Sequence, residues 1–394
     1  MKLLVITGYA PSLINFRSHL LKGLLKEKYS ITAISRITKE DNDIKKKLNH
    51  MGINFLPIYI SHKIKNPIFE FFSIICIFYR IIQIKPDTIF VYSPKPIIYT
   101  GIITRIIKKL QIIKKFKLVV LMTGLGSTFS TFENNKFFNQ AIILLAKFGF
   151  KKLDKIIFQN SDDKNYLSKN NILDKKSEIF RVNGSGVDLN YYSYYPKEEK
   201  EGGKEKVFLM LSRLLIDKGI LEYVEAARLI KKKYPNVIFN LAGMPYEGSR
   251  AISINRIKDW EEKKIINYLG LLSDVKESLI NCDFYVLPSF YKEGIPRSLM
   301  EAMAIGRPII TTDSTGCREC ISHNINGYMI KPRDHKGLYK AMEKMIIQEK
   351  SITKSMGHQS RILAEQKFNV YDINKKMIGI LKVWLSNIEL LKIY

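Results

Sequence analysis

The chain has 394 residues, 46% of them hydrophobic, and a formal net charge of +27. This length is too great for one compact core and predicts about two domains. The positive charge indicates contact with nucleic acid, an anionic membrane surface or a phosphorylated substrate, unless it reflects only Lys-rich solvated faces. The sequence lacks recognition-helix, RNA-binding aromatic and zinc-finger patterns, which leaves the membrane surface and phosphate.

The first half of the chain alternates short apolar runs with longer helical patterns. The opening "MKLLVITGYAPS" has an apolar run of only four residues, which predicts a buried strand rather than a signal peptide, and hence a cytoplasmic protein. Apolar residues at helical spacing between Phe16 and Lys28 predict a helix after this strand. Further strands are predicted at "SITAIS", "TIFVYS", "KLVVLMT" and "KIIFQN".

The longest apolar run extends from Phe71 to Tyr79 and is bracketed by Glu70 and Arg80. It falls short of the roughly 20 residues that a membrane span requires. We expect a buried core helix here, with a helix that dips into the membrane interface as the alternative.

A break in the pattern divides the chain. The stretch "NYYSYYPKEEKEGGKEK" combines a Pro, a Gly pair and clustered charges, which predicts a linker over residues 191–206. Strands are predicted beyond it at "VFLMLS", "VIFNLAG", "INYLG", "DFYVLPS", "RPIITTD" and "GYMI".

The predicted fold is therefore α/β, with two doubly wound, Rossmann-like domains over residues 1–190 and 207–365. A C-terminal helical segment, residues 366–394, is a candidate to pack back on the first domain. In such sheets ligands bind beyond the carboxyl ends of the strands, so the loops there are candidate sites.

One such loop leads into "EGIPRSLMEAMAIG", where Glu293 and Glu301 flank a Gly and a Pro. Pro296 suits the first helical position, and Gly294 would let the backbone approach a ligand closely. The amides at this helix end, including that of Ile295, would attract an anion or sugar hydroxyls. The alternative is a capped helix with one exposed Glu and one in a salt bridge.

A second loop, "LSRLLIDKG", carries Arg213 and Lys218 after the first strand of the second domain. Two cations at a strand end suit a diphosphate, since Arg can bind it in a bidentate manner and Lys acts as a point charge. The alternative is a solvated basic loop.

In the first domain, candidate site residues follow several predicted strands. They are Gly8, Arg17 near the start of the first helix, Lys95 in "YSPKP", and Gly124 and Gly126 in "TGLGST". Each has an equally good explanation as a turn glycine or a surface cation.

Two other patterns resemble metal or redox motifs. "DND" at Asp41 to Asp43 precedes three lysines and is better explained as a helix start with acids favoured by the dipole. Cys317 and Cys320 form a single CxxC without flanking His residues, and we expect packed thiols there. No metal site is predicted.

Taken together, these residues resemble the retaining family 4 glycosyltransferases, which have the GT-B fold of two Rossmann-like domains facing a cleft. The resemblance lies in "LSRLLIDKG", "YLG", "NCDFYVLPSFYKEGIPRSLMEAMAIGRPIITTD" and "TGCRECISHNINGYMI", in the family's order and spacing. In the first domain, "FRSHLLKGL", "YSPKPIIYTGI", "TGLGSTF" and "VNGSGVD" look like the branch that adds N-acetylgalactosamine or a similar sugar during bacterial O-antigen, capsule or lipid-linked oligosaccharide assembly.

The resemblance implies a donor site on the second domain. Arg213 and Lys218 would hold the donor diphosphate and stabilise its departure. Glu301 would bind the ribose, whereas Glu293 and the backbone of Gly294, Ile295 and Pro296 would bind the donor sugar. Leu269 and Leu271 would flank the uracil, and Gly8 would also border the donor.

The acceptor would bind at Arg17, Lys95, Thr123, Gly124 and Gly126 of the first domain. Many family members have a His where this chain has Thr123, so a mechanism that uses that His is in doubt. The resemblance implies a front-face attack in which the leaving phosphate takes the acceptor proton, with no metal and no cofactor.

The implied function is a retaining, metal-independent hexosyltransferase that moves N-acetylgalactosamine from a UDP-sugar to an undecaprenyl-diphosphate-linked saccharide. Its basic first domain would lie on the anionic inner leaflet of the plasma membrane. The alternatives are a sister enzyme that uses UDP-glucose, UDP-galactose or a GDP-sugar, and, from a different class, a basic nucleic-acid- or membrane-binding protein.

Overall fold

A computed structural model describes residues 1–38, 40–61, 67–126, 136–197, 205–246 and 248–382. The chain forms two compact units. The first takes Met1–Ser185 and the chain from Tyr371 onward, and the second takes Gly186–Val370. Each unit is built on a parallel sheet with helices on both faces, the α/β class that the sequence predicts.

The described part of the first unit contains a seven-stranded parallel sheet in the order β3-β2-β1-β4-β5-β6-β7. The strands are β1 Lys2–Thr7, β2 Ser30–Arg36, β3 Asn54–Ile58, β4 Thr88–Tyr92, β5 Lys117–Met122, β6 Lys155–Phe158 and β7 Glu178–Arg181. The central strands are largely apolar and buried because both of their faces are covered.

Helices connect these strands and cover the sheet. They are α1 Pro11–Asn15, α2 Ser18–Lys26, α3 Asp41–His50, α4 Pro67–Ile84, α5 Pro94–Lys109, α6 Lys136–Gly149 and α7 Ser161–Lys169. One core cluster joins α4, α5 and α6 to a sheet face through Ile77, Ile103 and Ile142. The other face carries α2 and α3 through Leu20 and Leu48.

The described part of the second unit contains a six-stranded parallel sheet in the order β10-β9-β8-β11-β12-β13. The strands are β8 Val207–Leu211, β9 Ile238–Ala242, β10 Asn267–Tyr268, β11 Phe284–Leu287, β12 Ile309–Thr312 and β13 Gly327–Ile330. The helices are α8 Ile220–Lys233, α9 Ile254–Glu262, α10 Lys276–Asn281, α11 Arg297–Ile305, α12 His335–Ile347 and α13 Lys350–Phe368, with short 3₁₀ turns at Ile216–Lys218 and Cys317–Cys320.

The last described helix, α14, spans Val370–Leu381 and returns to the first unit. Its Ile373, Met377 and Ile380 are buried in the same core cluster as Leu20 and Leu24 of α2. The Lys155 ammonium donates to the carbonyl of Ile380 at 2.9 Å, which fixes the helix against β6.

Several elements differ from the sequence predictions. β3 and β7 form the two edges of the first sheet, and β3 was not predicted. The helix predicted over Phe16–Lys28 is confirmed as α2, which spans Ser18–Lys26 and so is two residues shorter at each end. The short helix α1 before it was not predicted, and Phe16, between the two helices, is 40% exposed. Of the expected linker, residues 191–197 belong to the second unit, and residues 198–204 lie outside the described residues.

Candidate functional site

In the second unit, the loops that follow β8, β9, β10 and β11 are joined at the carboxyl edge of the sheet. The Leu214 amide donates to the carbonyl of Met244 at 3.0 Å, and the Gly243 amide donates to that of Gly270 at 2.8 Å. The Phe290 amide donates to the carbonyl of Asp217 at 2.9 Å. These bonds bring residues from distant parts of the sequence into one rigid loop cluster, the location expected for a ligand site in such sheets.

Two glycines permit this close approach. Gly219 ends the 3₁₀ turn with φ +79°, and a Cβ there would lie 2.2 Å from the carbonyl oxygen of Pro288. Gly316 has φ +78°, and its Cβ would lie 1.8 Å from the carbonyl oxygen of Gly294. Any side chain at either position would combine an unfavourable backbone conformation with a collision against backbone.

Lys218 and Glu293 meet in this cluster. The Lys218 Nζ lies 2.5 Å from the Glu293 Oε1, and both side chains are largely buried. Ser289 donates to the same Glu293 oxygen at 3.0 Å, while its hydroxyl also lies 3.3 Å from the carbonyl of Asp217. The sequence candidates from two separate loops therefore form one ionic group.

Arg213 lies on the same loop as Lys218 and is placed between two aromatic rings. Its guanidinium carbon lies 5.4 Å from the ring centroid of Tyr246 and 5.6 Å from that of Tyr291. The Lys218 Nζ is also 5.4 Å from the Tyr291 ring. The negative faces of these rings stabilise two neighbouring cations whose charges otherwise repel each other.

Helix α11 starts one residue later than the sequence predicts. Pro296 is its N-cap, with φ −63° and ψ 122°, and Arg297 is the first helical residue. Pro296 suits either position, because Pro has no amide hydrogen to lose at the start of a helix and its φ fits both. Gly294, Ile295 and Pro296 are all buried below the loop surface.

Glu301 is buried one turn into α11. The Arg297 Nε donates to its Oε1 at 2.7 Å, and the Tyr192 hydroxyl donates to the same oxygen at 3.1 Å. Burial raises the pKa of the Glu301 carboxyl above its ordinary value, and Arg297 opposes that rise. The carboxylate is thus held in place by two donors before any ligand arrives.

Leu269 and Leu271 flank Gly270 on the loop after β10, and their side chains are exposed. They are the residues that the resemblance places beside the uracil. The structure places their loop against the loop after β9 through the Gly243–Gly270 hydrogen bond.

In the first unit, Gly8 and Arg17 lie at the carboxyl edge of β1. A Cβ at Gly8 would touch Pro96 at an ordinary 3.5 Å, so a small side chain would fit at this position. The Arg17 guanidinium is buried and lies 5.4 Å from the ring centroid of Tyr92, whose hydroxyl is 2.9 Å from that of Ser12. Arg17 is therefore part of a buried group and not an exposed cation.

Lys95 is engaged inside the same unit. Its Nζ lies 2.8 Å from the Glu70 Oε2 and donates to the carbonyl of Ser61 at 2.7 Å. Tyr99 also donates a short hydrogen bond to Glu70. Burial lowers the pKa of the Lys95 ammonium, and the contact with Glu70 opposes that change.

The loop after β5 holds Thr123, Gly124 and Gly126. Both glycines have positive φ, +110° and +54°. The chain that follows, residues 127–135, lies outside the described residues. The structure therefore places the start of this loop at the carboxyl edge of β5, next to β4 and the α5 helix that bears Lys95.

The two patterns that resembled metal or redox motifs have structural explanations. α3 begins at Asp41, with Asp41 and Asp43 in its first turn, which confirms the predicted helix start. Cys317 and Cys320 are buried free thiols, as predicted, and burial raises the pKa of Cys317 to about 11. Thiols of this kind are poor nucleophiles near neutral pH.

Sequence reasoning missed the residues that support the candidate side chains. They are Ser289, Tyr246 and Tyr291 around the Arg213, Lys218 and Glu293 group, Tyr192 beside Glu301, and Glu70 beside Lys95. Tyr192 lies in the segment assigned to the linker, where four tyrosines in five residues could have indicated packing instead. No spacing of residues in the sequence indicates the other contacts.

With this geometry established, comparison with known proteins identifies the family. The description "Glycosyl transferases group 1" matches residues 194–362, and "Glycosyl transferase 4-like" matches residues 12–160. An N,N'-diacetylbacillosaminyl-diphospho-undecaprenol alpha-1,3-N-acetylgalactosaminyltransferase of Campylobacter jejuni is 30% identical over 271 residues, 64% of this chain and 69% of that relative. The chain belongs to the group 1, family 4-like glycosyltransferases.

Other relatives of this glycosyltransferase act in related chemistry. A UDP-Gal:alpha-D-GlcNAc-diphosphoundecaprenol alpha-1,3-galactosyltransferase of Escherichia coli is 27% identical over 281 residues, 68% of this chain and 69% of that relative. The chain spans about half the length of others, such as a putative colanic acid biosynthesis glycosyltransferase of Escherichia coli that is 25% identical over 51% of its length.

Solved structures share the fold. Anabaena Alr3699/HepE in complex with UDP and glucose aligns with a TM-score of 0.73 and 17% identity over 98% of this chain and all of that one. The apo lipopolysaccharide outer core galactosyltransferase WaaB aligns with a TM-score of 0.67 over 96% of this chain and 98% of that one. The glycosyltransferase therefore has the predicted GT-B class of fold. Among its described residues, no helix has both the length and the hydropathy to cross a membrane.

Proposed function

We propose that this glycosyltransferase moves a hexose from a UDP-sugar to a saccharide linked to undecaprenyl diphosphate during polysaccharide synthesis. The relatives from Campylobacter jejuni, at 30% identity, and Escherichia coli, at 27% identity, act on sugars linked to diphosphoundecaprenol, and Alr3699/HepE binds UDP. We further propose N-acetylgalactosamine as the transferred sugar, after the relative with 30% identity.

The observation that carries the proposal is the charged group at the carboxyl edge of β8 and β11. Arg213 and Lys218 supply two positive charges on one loop, and Glu293 supplies a carboxylate from the next strand's loop. A nucleotide-sugar donor needs this combination, because its diphosphate is anionic whereas its sugar presents hydroxyl groups.

In this reaction, Arg213 and Lys218 bind the donor diphosphate and stabilise the charge that develops as UDP leaves. Their two positive charges take the part that a bound divalent metal would otherwise play. Glu293 accepts hydrogen bonds from the donor sugar, and Glu301 accepts them from the ribose, with Tyr192 and Arg297 fixing its orientation.

We propose that transfer retains the configuration at the anomeric carbon. The acceptor hydroxyl attacks from the face that UDP leaves, the bond between the anomeric carbon and phosphate oxygen breaks, and the departing phosphate takes the acceptor proton. No side chain acts as a nucleophile, so the missing His at Thr123 does not block this route.

On the acceptor side, the buried Arg17 and the loop from Thr123 to Gly126 are proposed to contact the acceptor diphosphate and saccharide. Lys95 is included as a weaker candidate, since its charge is already matched by Glu70. The positive charge of the first unit favours an anionic membrane leaflet as the surface where this lipid-linked acceptor is met.

The proposal is tested by incubating the protein with a panel of UDP- and GDP-sugars and an undecaprenyl-diphosphate-linked saccharide, while nucleotide release is measured. UDP-N-acetylgalactosamine should be turned over fastest. Faster turnover of UDP-galactose or UDP-glucose would identify the sister activity instead. Activity should be lost in Arg213→Ala, Lys218→Ala and Glu293→Ala, and full activity in these variants would refute the site assignment.

Two further measurements address the mechanism. Activity should persist in EDTA, and recovery only on adding manganese would contradict the metal-free proposal. Proton NMR of the product, compared with the α-linked donor, should give an α-linkage, whereas a β-linkage would exclude retention.

A further inference from the structure

Helix α4 is apolar on the side that faces away from its core. Its buried positions, Ser73, Ile77 and Ile81, recur every four residues. The opposite side carries Phe72, Ile75 and Tyr79, which are 43% to 60% exposed. A surface helix normally presents charged or polar residues there, so this exposed row requires an explanation.

Helix α6 repeats the pattern. Ile142 and Ala146 are buried, whereas Leu144, Leu145 and Phe148 are 44% to 63% exposed. The outward side of α6 thus also presents large apolar residues, with the exposed Gln140 and Lys147 beside them. Together, Phe72, Ile75, Tyr79, Leu144, Leu145 and Phe148 are called here the apolar surface.

The two helices lie on the same face of the first sheet. Both contribute to the core cluster that contains α5, and α5 contacts each of them. The middle helix adds Ile106, another exposed apolar residue, on its outward side. The exposed side chains therefore belong to one layer of three adjacent helices.

Cations border this layer. The guanidinium of Arg80 lies 5.8 Å from the Tyr79 ring centroid, and that of Arg105 lies 5.1 Å from the Phe148 ring centroid. The sequence from Arg105 to Lys152 contains ten basic residues and one acid, Glu133; the basic residues are Arg105, Lys108, Lys109, Lys114, Lys115, Lys117, Lys136, Lys147, Lys151 and Lys152. Among them, Lys114, Lys115, Lys151 and Lys152 are exposed.

We propose that the apolar surface inserts into the headgroup and acyl boundary of an anionic phospholipid bilayer, with the bordering cations on lipid phosphates. Apolar and aromatic side chains with adjacent Lys and Arg are the combination by which proteins lie on such a membrane. The inference rests on the proposed function, because the lipid-linked acceptor is part of that proposal. It identifies α4, α5 and α6 as the membrane-facing layer.

A second copy of the chain fits this surface less well. In a symmetric dimer the same patch meets itself, so the basic borders of the two copies would be brought together and repel each other. An anionic bilayer instead offers phosphates to the exposed cations of this border, such as Lys114, Lys115, Lys151 and Lys152. The charge of the border therefore selects the membrane over self-association.

The experiment is flotation of the full chain with vesicles of 30% phosphatidylglycerol and 70% phosphatidylcholine. The wild type should float with them, whereas Phe72→Gln/Tyr79→Gln and Leu144→Gln/Phe148→Gln should each reduce partitioning by about tenfold or more. The matched control, Ile347→Gln/Ile352→Gln, removes exposed apolar residues from the second unit and should bind as wild type. Equal binding by all four proteins would overturn the proposal.

A second comparison tests the charges. Lys114→Gln/Lys115→Gln/Lys151→Gln should weaken flotation at 0.1 M salt more than Lys45→Gln/Lys46→Gln/Lys47→Gln, which removes the same charge from α3 on the other face of the sheet. Equal losses would indicate net charge alone and contradict the assigned surface. Light scattering without lipid should give a monomer, and a dimer that separates in the glutamine variants would assign the surface to self-association.

The failure of this inference is distinguishable from failure of the proposed function. Release of UDP from the donor in detergent, with a short-chain diphosphate-linked acceptor, should be unchanged in the glutamine variants of the apolar surface. Lys218→Ala should lose that release and still float with the anionic vesicles.

Discussion

The Lys218 ammonium and the Glu293 carboxylate, 75 positions apart in the sequence, lie 2.5 Å from each other. We propose that each binds part of the donor, Lys218 a phosphate and Glu293 the sugar. In the structure their opposite charges neutralise each other. A bound diphosphate would compete for Lys218 and leave Glu293 available to accept hydrogen bonds from the sugar.

The first prediction concerns this pair. Lys218→Ala and Glu293→Ala should each lower kcat/KM by about 10²-fold or more, since each removes a group that binds the reacting donor. Each should also lower the free energy of unfolding by about 3 kcal/mol, because the remaining charge is largely buried without its partner. The double variant should be less destabilised than the two losses added together, as urea unfolding can measure.

Lys263 and Asp259 provide the matched control, because they form an ion pair of 2.6 Å in the same unit but are largely exposed. Lys263→Ala should change the free energy of unfolding by less than about 1 kcal/mol and leave activity unaltered. If Lys218→Ala and Lys263→Ala lose the same free energy of unfolding, burial does not make the Lys218–Glu293 pair more costly to break than an exposed pair.

The second prediction concerns the aromatic environment of Arg213. Arg213→Lys keeps the charge but loses bidentate phosphate binding and stacking, so kcat/KM should fall about tenfold. Tyr291→Leu should weaken donor binding because both Arg213 and Lys218 lose the ring face, whereas Tyr291→Phe should not. Calorimetric titration with UDP measures donor binding by the two Tyr291 variants. Equal weakening of binding in Tyr291→Leu and Tyr291→Phe would exclude a contribution from the ring face.

The third prediction is a pH dependence of stability from Glu301. Its carboxyl has an ordinary pKa of 4.5, and burial raises the pKa in the folded chain. Between the two values the folded state binds more protons than the unfolded state. The contribution of Glu301 to stability is therefore fully present below pH 4.5 and is lost as pH rises through the folded pKa.

Glu301→Gln should remove this contribution, so the curve of unfolding free energy against pH should be flatter than that of the wild type. Urea unfolding at intervals from pH 4.5 to pH 8 measures the difference. Because Glu222 also has a raised pKa and remains in both proteins, its contribution cancels in the comparison. Parallel curves would show that Glu301 is not the responsible group.

The fourth prediction separates two roles of Lys95. If its charge serves chiefly to match Glu70, Lys95→Met and Glu70→Gln should both destabilise the first unit, by about 3 kcal/mol each, as followed by far-ultraviolet circular dichroism in urea. If Lys95 instead binds the acceptor diphosphate, Glu70→Gln should lower the acceptor KM by releasing the ammonium. Unchanged stability together with a lower KM would favour the acceptor role.

The fifth prediction concerns the backbone at Gly219. Gly219→Ala should cost several kcal/mol of unfolding free energy, because strain at positive φ is joined by a collision with the Pro288 carbonyl. Gly270 has φ +71°, and no atom of the described residues lies within 4 Å of its Cβ position, so Gly270→Ala should cost only the strain, about 1 kcal/mol. Thermal unfolding of the two variants compares them directly.

The sequence by itself determined the class of fold and the residues of the candidate donor site. Apolar runs of strand length, separated by helical patterns, leave a parallel sheet as the arrangement that buries them. Positions such as Arg213, Lys218 and Glu293 are recognisable because each follows such a run. The edge strand β3 was missed, since Asn54 and Pro57 interrupt its apolar run and give a weak pattern.

Only the tertiary structure decided which of these side chains meet. Lys218 forms an ion pair with Glu293, whereas Lys95 forms one with Glu70 and Arg17 is buried beside Tyr92. It also decided that the apolar run from Phe71 to Tyr79 is half core and half surface. The physical reason is that composition and spacing fix which residues are apolar or charged, but the partner of each is set by loops and helices distant in sequence, brought together when the sheet forms.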